Sequence, residues 1–359
     1  MLQFILRRLI YGFLVLIGVL VVVFLLFNVL PGDPARMMLG QRADAESIKA
    51  INRDLGLDRP LFIQFIMYAN DLSPISIHNT KDENHYLFLD EEKYEYASLF
   101  NFGKDKKVVL KYPYLRRSYQ SKRKVSEIII QSMPATAVLA LTSMTLATIL
   151  GIILGIFSAV KKGTFFDNFN LVFSVFGMAL PSFFAAIIVA WIFGYILSEY
   201  TGLNMFGSLY TIDDYGNGEY LDLKNLILPA TTLGIRPLAV VAQLMRGSLL
   251  DVLGQDYIRT AKAKGLAFYT VIVKHALKNA LNPVITAVSG WLAALMAGTV
   301  YIEMIFAWKG IGYETFKALE KYDFPVVMGT VLIIATIFVV INIFVDIAYG
   351  MLDPRARVK

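Results

Sequence analysis

Asp256-Tyr-Ile-Arg-Thr-Ala-Lys-Ala-Lys-Gly265-Leu266 carries one carboxylate and three basic side chains, and it is too polar to enter a bilayer. Alanine and lysine are good helix formers, and Gly265 offers the left-handed stop that ends a helix. Residues 269–281 form a second helical stretch. A polar helix-turn-helix is therefore expected within residues 247–280. It lies between two long apolar runs, so it reads as a connection between membrane spans.

The rest of the chain agrees with a bilayer as solvent. Of its 359 residues 57% are hydrophobic and only 17% charged, with a mean hydropathy of +0.58, whereas soluble domains are nearer a quarter charged. Hydrocarbon about 30 Å thick, at 1.5 Å of rise per residue, asks for about 20 apolar residues per span. Six segments qualify: 9–30, 134–160, 169–197, 228–245, 281–302 and 325–352. The first is too long for a signal-peptide core and lacks a small-residue cleavage site, so it is expected as a retained helix. In the third, Pro181 is expected to kink or break the helix, a re-entrant pair being the alternative.

Positive charge in short loops sets orientation. Arg7, Arg8, Lys161, Lys162, Arg259, Lys262, Lys264, Lys274, Lys278, Arg355, Arg357 and Lys359 all fall on one side of this topology. The opposite short loops are acidic or balanced. Both termini are therefore expected to be cytoplasmic. The net charge of +6 belongs to this bias, and no nucleic-acid partner is expected.

Residues 31–133 form a mixed-charge, tyrosine-rich region with no span, expected outside the membrane. Ile48, Ile51 and Leu55 recur at helical spacing, and residues 79–111 alternate aromatic and charged side chains like short strands. Loops longer than about 60 residues translocate regardless of charge, so the lysines here do not overturn the topology.

For the polar connection the residues alone fit two readings: a basic helix on anionic lipid headgroups, or a docking element for a cytoplasmic partner. The stretch Arg259-Thr-Ala-Lys-Ala-Lys-Gly265 resembles the coupling-loop signature of ABC importer permeases, the EAA motif. Arg259 and Thr260 stand where the general consensus has Glu and Ala, while Ala261 and Gly265 match, and the consensus Leu-Pro is absent, the nearest proline being Pro283. Further stretches are similar to the dipeptide, oligopeptide and nickel branch. They are Phe4-Ile-Leu-Arg-Arg-Leu with Leu30-Pro-Gly-Asp-Pro34 and Leu55-Gly-Leu-Asp-Arg-Pro60; Glu303-Met-Ile-Phe-Ala-Trp-Lys-Gly-Ile-Gly312 with Tyr322-Asp-Phe-Pro325; and Asn342 through Asp346 to Asp353-Pro-Arg355. The likeness spans nearly the whole chain except residues 72–111, which look like an insertion.

The resemblance implies an all-α membrane protein of about six transmembrane helices, the type I importer permease fold, in the bacterial inner membrane. It divides the chain into an N-terminal helix at 1–30, an extracytoplasmic region at 31–133 and a permease core at 134–359. It also implies that Asp256, Tyr257, Arg259, Thr260, Ala261, Lys264 and Gly265 couple to an ATPase. The implied partners are a second homologous permease, two ATPase subunits holding ATP and magnesium, an extracytoplasmic binding protein, a peptide substrate and membrane lipid. Nickel or another small solute is the alternative substrate, and a membrane-anchored scaffold the alternative of another class.

Other residues have plainer readings. Trp308 and Tyr322 are expected as aromatic-belt anchors, and Gly151 with Gly155 as a small face for helix packing. Asp346, with Asn342 one turn before it, fits either a gate or an interhelical hydrogen bond; Arg236 fits either the pore or a snorkelling cation. No catalytic or metal-binding set is expected. The chain lacks cysteine, its histidines (His78, His85, His275) are scattered, and it has no P-loop, so no cofactor is expected in this chain and ATP must be spent by another.

Overall fold

The computed structural model describes residues 2–29, 46, 48–49, 52, 56–82, 85–91, 93–103, 105–212 and 218–352. The expected helix around Ile48 and Ile51, the Leu30–Pro34 helix end and the Asp353–Arg355 motif lie outside them, wholly or in large part. The helices and strands are α1 (Leu2–Val29), α2 (Leu61–Leu72), β1 (Ile75–Asn79), β2 (Tyr96–Phe102), β3 (Lys106–Lys111), α3 (Val125–Val160), α4 (Phe165–Ala179), α5 (Ser182–Trp191), β4 (Tyr210–Ile212), β5 (Glu219–Leu221), α6 (Lys224–Leu253), α7 (Asp256–Ala263), α8 (Phe268–Ala280), α9 (Asn282–Gly298), α10 (Val300–Ile305), α11 (Ile311–Glu320) and α12 (Phe324–Leu352).

Among the described residues four helices, α1, α3, α6 and α12, are long and apolar enough to cross a membrane, and the number is six if each of the bent pairs α4–α5 and α8–α9 is one span. Large apolar side chains stand exposed along α1 (Phe13, Leu26) and α4 (Phe169, Phe176). Exposure on that scale fits lipid rather than water. The helix α3 begins nine residues before the expected span, because Pro134 is accommodated inside it. The third span is not merely kinked. Leu180 takes an extended conformation before Pro181, and α4 and α5 meet at 108°. The ring of a proline drives its predecessor out of the helical region.

The contacts divide the chain into two units. The first comprises residues 1–12, 132–313 and 337–359 and is built on α6, whose Leu233, Ala239, Val241, Ala242, Met245 and Leu249 are buried. In lipid there is no hydrophobic drive between helices, so close approach through small residues must hold them. A Cβ on Gly151 or Gly155 of α3 would lie 2.7 Å from Val241 or 2.6 Å from the Ala242 carbonyl of α6, and one on Gly177 of α4 3.1 Å from Ala239. These glycines mark where α3 and α4 press on α6.

The second unit comprises residues 13–131 and 314–336. In it Tyr68 of α2 packs with Val23 and Phe24 of α1 and Met328 and Leu332 of α12. Beyond α2 lies an antiparallel sheet of order β1-β3-β2, with Ile77 opposite Val108 and Phe100 opposite Val108 across the two ladders. The expected strand region is thus a sheet. Its inner face carries Ser76, His78, Val109 and Lys111, all buried. Asp71 of α2 binds it: the Tyr94 hydroxyl donates to its carboxylate, Lys93 Nζ lies 3.2 Å away, and Lys111 Nζ donates to its carbonyl.

His78 lies 1% exposed beneath this cluster, its Nε2 3.0 Å from the Ser76 hydroxyl and its ring 4.9 Å from that of Tyr94. Burial first, then the positive charge of Lys111, lowers its pKa from 6.5 to about 4. An unfolded subdomain therefore takes up a proton below pH 6.5 that the folded one refuses until about pH 4. Stability is full above pH 6.5 and falls through that window by up to about 3 kcal/mol. Lys111, lowered to about 8, stays protonated throughout the window. Hydrogen exchange of the β1–β3 amides, corrected for intrinsic rates, is expected to lose protection between pH 6.5 and 4 in wild type. His78→Gln is expected to flatten that dependence.

Candidate functional site

The polar connection folds as a short helix with two different sides. α6 ends at Gly254, Gln255 is extended, and α7 starts at Asp256, whose carboxylate favours the helix start. The α7 residues Ile258 and Ala261, three apart and so on one face, are 0% and 7% exposed. They join a cluster with Met245, Leu249, Val271, Ala276 and Ala280. Asp256, Tyr257, Arg259, Thr260, Lys262 and Lys264 face outward.

The end of α7 follows from one residue. Gly265 has φ +75°, its N–H donates to the Lys262 carbonyl at 2.9 Å, and the Leu266 N–H reaches the Ala261 carbonyl at 3.4 Å. This is the paired bonding of a glycine C-terminal cap. Beyond it Leu266, Phe268 and Tyr269 stand 39%, 50% and 75% exposed. Together with Tyr257, whose hydroxyl accepts from Asn279 Nδ2 at 2.8 Å, they add an apolar and aromatic patch to the basic side. Arg259 Nη1 lies 3.3 Å from Asp256 Oδ1, and the Thr260 hydroxyl donates to the Asp256 carbonyl at 3.0 Å. The residues singled out from sequence are thus together: Ala261 as anchor, Gly265 as stop and the others on the free side.

The candidate pore residues Arg236, Asn342 and Asp346 each have a different partner. Arg236 is exposed, with its guanidinium 5.9 Å from the centre of the Trp291 ring. Asn342 Nδ2 donates to the Phe338 carbonyl of its own helix at 2.8 Å, while Asp346 pairs with Arg8 Nη1 of α1 at 2.8 Å. Trp308 is not a belt anchor. It is fully buried, and its Nε1 donates to the Ala135 carbonyl of α3 at 2.9 Å, because the loop after α10 folds inward.

Two polar constellations were not foreseen from sequence. Glu303 is fully buried on α10 and accepts from the hydroxyls of Thr136 and Thr299, at 2.7 Å each, and from the Tyr313 amide at 2.9 Å. Asp167 at the start of α4 and Arg246 of α6 form a partly buried double hydrogen bond, Nε to Oδ1 at 2.6 Å and Nη2 to Oδ2 at 2.8 Å.

The family of binding-protein-dependent transport system inner membrane components matches residues 151–358, and the N-terminal family of such membrane components matches residues 1–82. The chain belongs to this family. This transport-system membrane component is 34% identical to a dipeptide transport system permease of Alkalihalophilus pseudofirmus, over 99% of this chain and all of the relative. It is 33% identical to a di/tripeptide transport system permease of Pseudomonas aeruginosa, over 99% of each. It is also 33% identical to a probable D,D-dipeptide transport system permease of Escherichia coli, over 98% of this chain and 96% of the relative. As a member of the family it is a multi-pass inner-membrane translocation subunit.

Proposed function

We propose that this chain is one permease subunit of an ATP-driven importer of peptides, working beside a second, homologous permease. The observation that carries this is α7: a polar helix anchored by Ile258 and Ala261, with Tyr257, Arg259, Lys264 and the 265–269 turn left uncovered. An anchored, rigidly capped helix with an aromatic and basic free side suits a partner's cleft, where aromatic residues and arginine dominate binding. The partners are two ATPase subunits, which hold ATP and magnesium and close on the cytoplasmic side. Both termini lie on that side, and an extracytoplasmic binding protein delivers the peptide to the other. Peptide as the substrate is supported by full-length relatives named for dipeptide and di/tripeptide transport. Closure of the ATPases displaces α7, and the packed helices switch between two arrangements rather than deforming continuously.

The test leaves the anchor intact. Arg259→Glu combined with Leu266→Asp is expected to insert normally and to lower co-purification of the ATPases at least ~tenfold, the equivalent of about 1.4 kcal/mol. Peptide-stimulated ATP hydrolysis is expected to fall with it. Unchanged association and stimulation would show that α7 rests on lipid and does not couple.

A further inference from the structure

Asp167 accepts on its two carboxylate oxygens from three places. The Ser158 hydroxyl of α3 donates to Oδ1, the Gly163 amide of the α3–α4 turn donates to Oδ2 at 2.9 Å, and Arg246 of α6 supplies the fork described above. The Asp167 side chain is 2% exposed and that of Arg246 19%. One carboxylate thus ties α3, the turn and α4 to α6. Arg246 follows Met245 in sequence, and Met245 and Leu249 share a buried cluster with Ile258 and Ala261 of α7. On its other side, Asp167 begins the helix that ends at the 108° break with α5.

Stability alone does not account for this pair. An ion pair with one partner buried and the other largely so loses much of its attraction to desolvation, and apolar residues of similar volume often hold a fold as well or better. The fork offers what apolar contacts lack, which is direction. Two parallel charge-assisted bonds fix the guanidinium plane against the carboxylate and resist sliding and rotation. Smooth apolar helix faces slide.

We infer that the Arg246–Asp167 fork is the joint through which displacement of α7 reaches the bent α4–α5 pair, so that both are positioning residues for transport. This rests on the coupling role proposed for α7. The route runs from Ile258 and Ala261 through Met245 and Leu249 to Arg246, and from Asp167 into α4.

The experiment uses the whole complex in liposomes with a radiolabelled dipeptide. It compares wild type, the apolar pair Asp167→Leu with Arg246→Met, and Arg246→Lys, which keeps the charge and loses the fork. Melting temperature, ATPase co-purification, basal hydrolysis, half-saturating peptide concentration and maximal uptake are read together. Both variants are expected to retain ATPase subunits and basal hydrolysis while maximal uptake falls about tenfold, near the upper range of couplings carried through packed networks. The half-saturating concentration is expected to stay unchanged. Wild-type uptake in the apolar pair would make the fork a structural tie and overturn the inference. A changed half-saturation at unchanged maximal uptake would make it a substrate contact and overturn it too. If the apolar pair fails to fold, Arg246→Lys decides alone by the same criteria. A wild-type complex that holds no ATPase would instead refute the reading of α7, which separates the two failures.

Discussion

Glu303→Ala is expected to cost at least about 3 kcal/mol and to leave little folded protein in detergent, because it strands three buried donors and one partly buried donor at once. The hydroxyls of Thr136 and Thr299 both point at Oε1, and the amides of Gly312 and Tyr313 also donate to this carboxyl group. Each stranded donor costs about 1–3 kcal/mol where water cannot reach it. The carboxylate also organises what surrounds it. A Cβ on Gly310 would collide with Thr136 and Glu303 themselves, and the Thr136 hydroxyl accepts the Ile311 amide at 2.8 Å. The same loop buries Trp308 against α3. Thermal unfolding followed by tryptophan emission checks the expectation. Glu303→Ala should lower the midpoint sharply and shift emission to the red as Trp308 meets solvent. Glu303→Gln retains one acceptor but turns an amide N–H toward donors, and should fall between. A midpoint within a degree or two of wild type in Glu303→Ala would mean that water or another group satisfies these donors, and that the carboxylate does not hold the loop.

What could be seen in the sequence differs from what could not in a physical way. The spans were legible because about 20 apolar residues in a row have few other uses. Two of the sheet's strands, β2 and β3, were legible from alternation in residues 79–111 while β1 lies almost wholly before that stretch, and the end of α7 was legible from Gly265, since a left-handed residue at a helix end is most cheaply a glycine. Each of these is a local property. The break between α4 and α5 was only half legible. Proline alone suggested a kink or a break without choosing between them, and the rule that decides acts on Leu180, the residue before it. Trp308 was misread because belt tryptophans and core tryptophans look alike in one dimension, and only the inward turn after α10 separates them. The Asp167–Arg246 fork joins residues 79 apart, and Glu303 reaches Thr136 across 167. In sequence Asp167 is a helix-start acid and Arg246 one more cation at a helix end. The one signal available was that both lie beside long apolar runs, where an ionised group asks for a partner. Asp346 and Arg236 carried the same signal, and their neighbours in space are Arg8 and Trp291. The signal finds groups that need company, not the company.

Gly155→Leu is expected to separate α3 from α6 and abolish transport, and Gly155→Ala to show the same effect in miniature. A Cβ at residue 155 would stand 2.6 Å from both the Ala242 carbonyl oxygen and Met245 Cβ. A flexible side chain can swing aside, but a backbone carbonyl moves only with its helix. Even one methyl must therefore push α6 away or bend it, at about 1–3 kcal/mol for overpacking of this kind. The displaced part of α6 is the part that matters, because Arg246 follows Met245, and Met245 belongs to the cluster that anchors α7. Uptake is thus expected to fall further than stability does. Gly18→Ala provides the control. Among the described residues no atom beyond the surrounding turns of α1 itself lies within 4 Å of a Cβ at that site, and alanine is the better helix former by about 1 kcal/mol in water, so folding and uptake should be unchanged or slightly improved. The comparison is read as melting temperature and peptide uptake for the three variants against wild type. If Gly155→Ala transports normally at an unchanged melting temperature, α3 and α6 have slack at this contact, and the close packing of α3 on α6 does not hold Arg246 in register with Asp167.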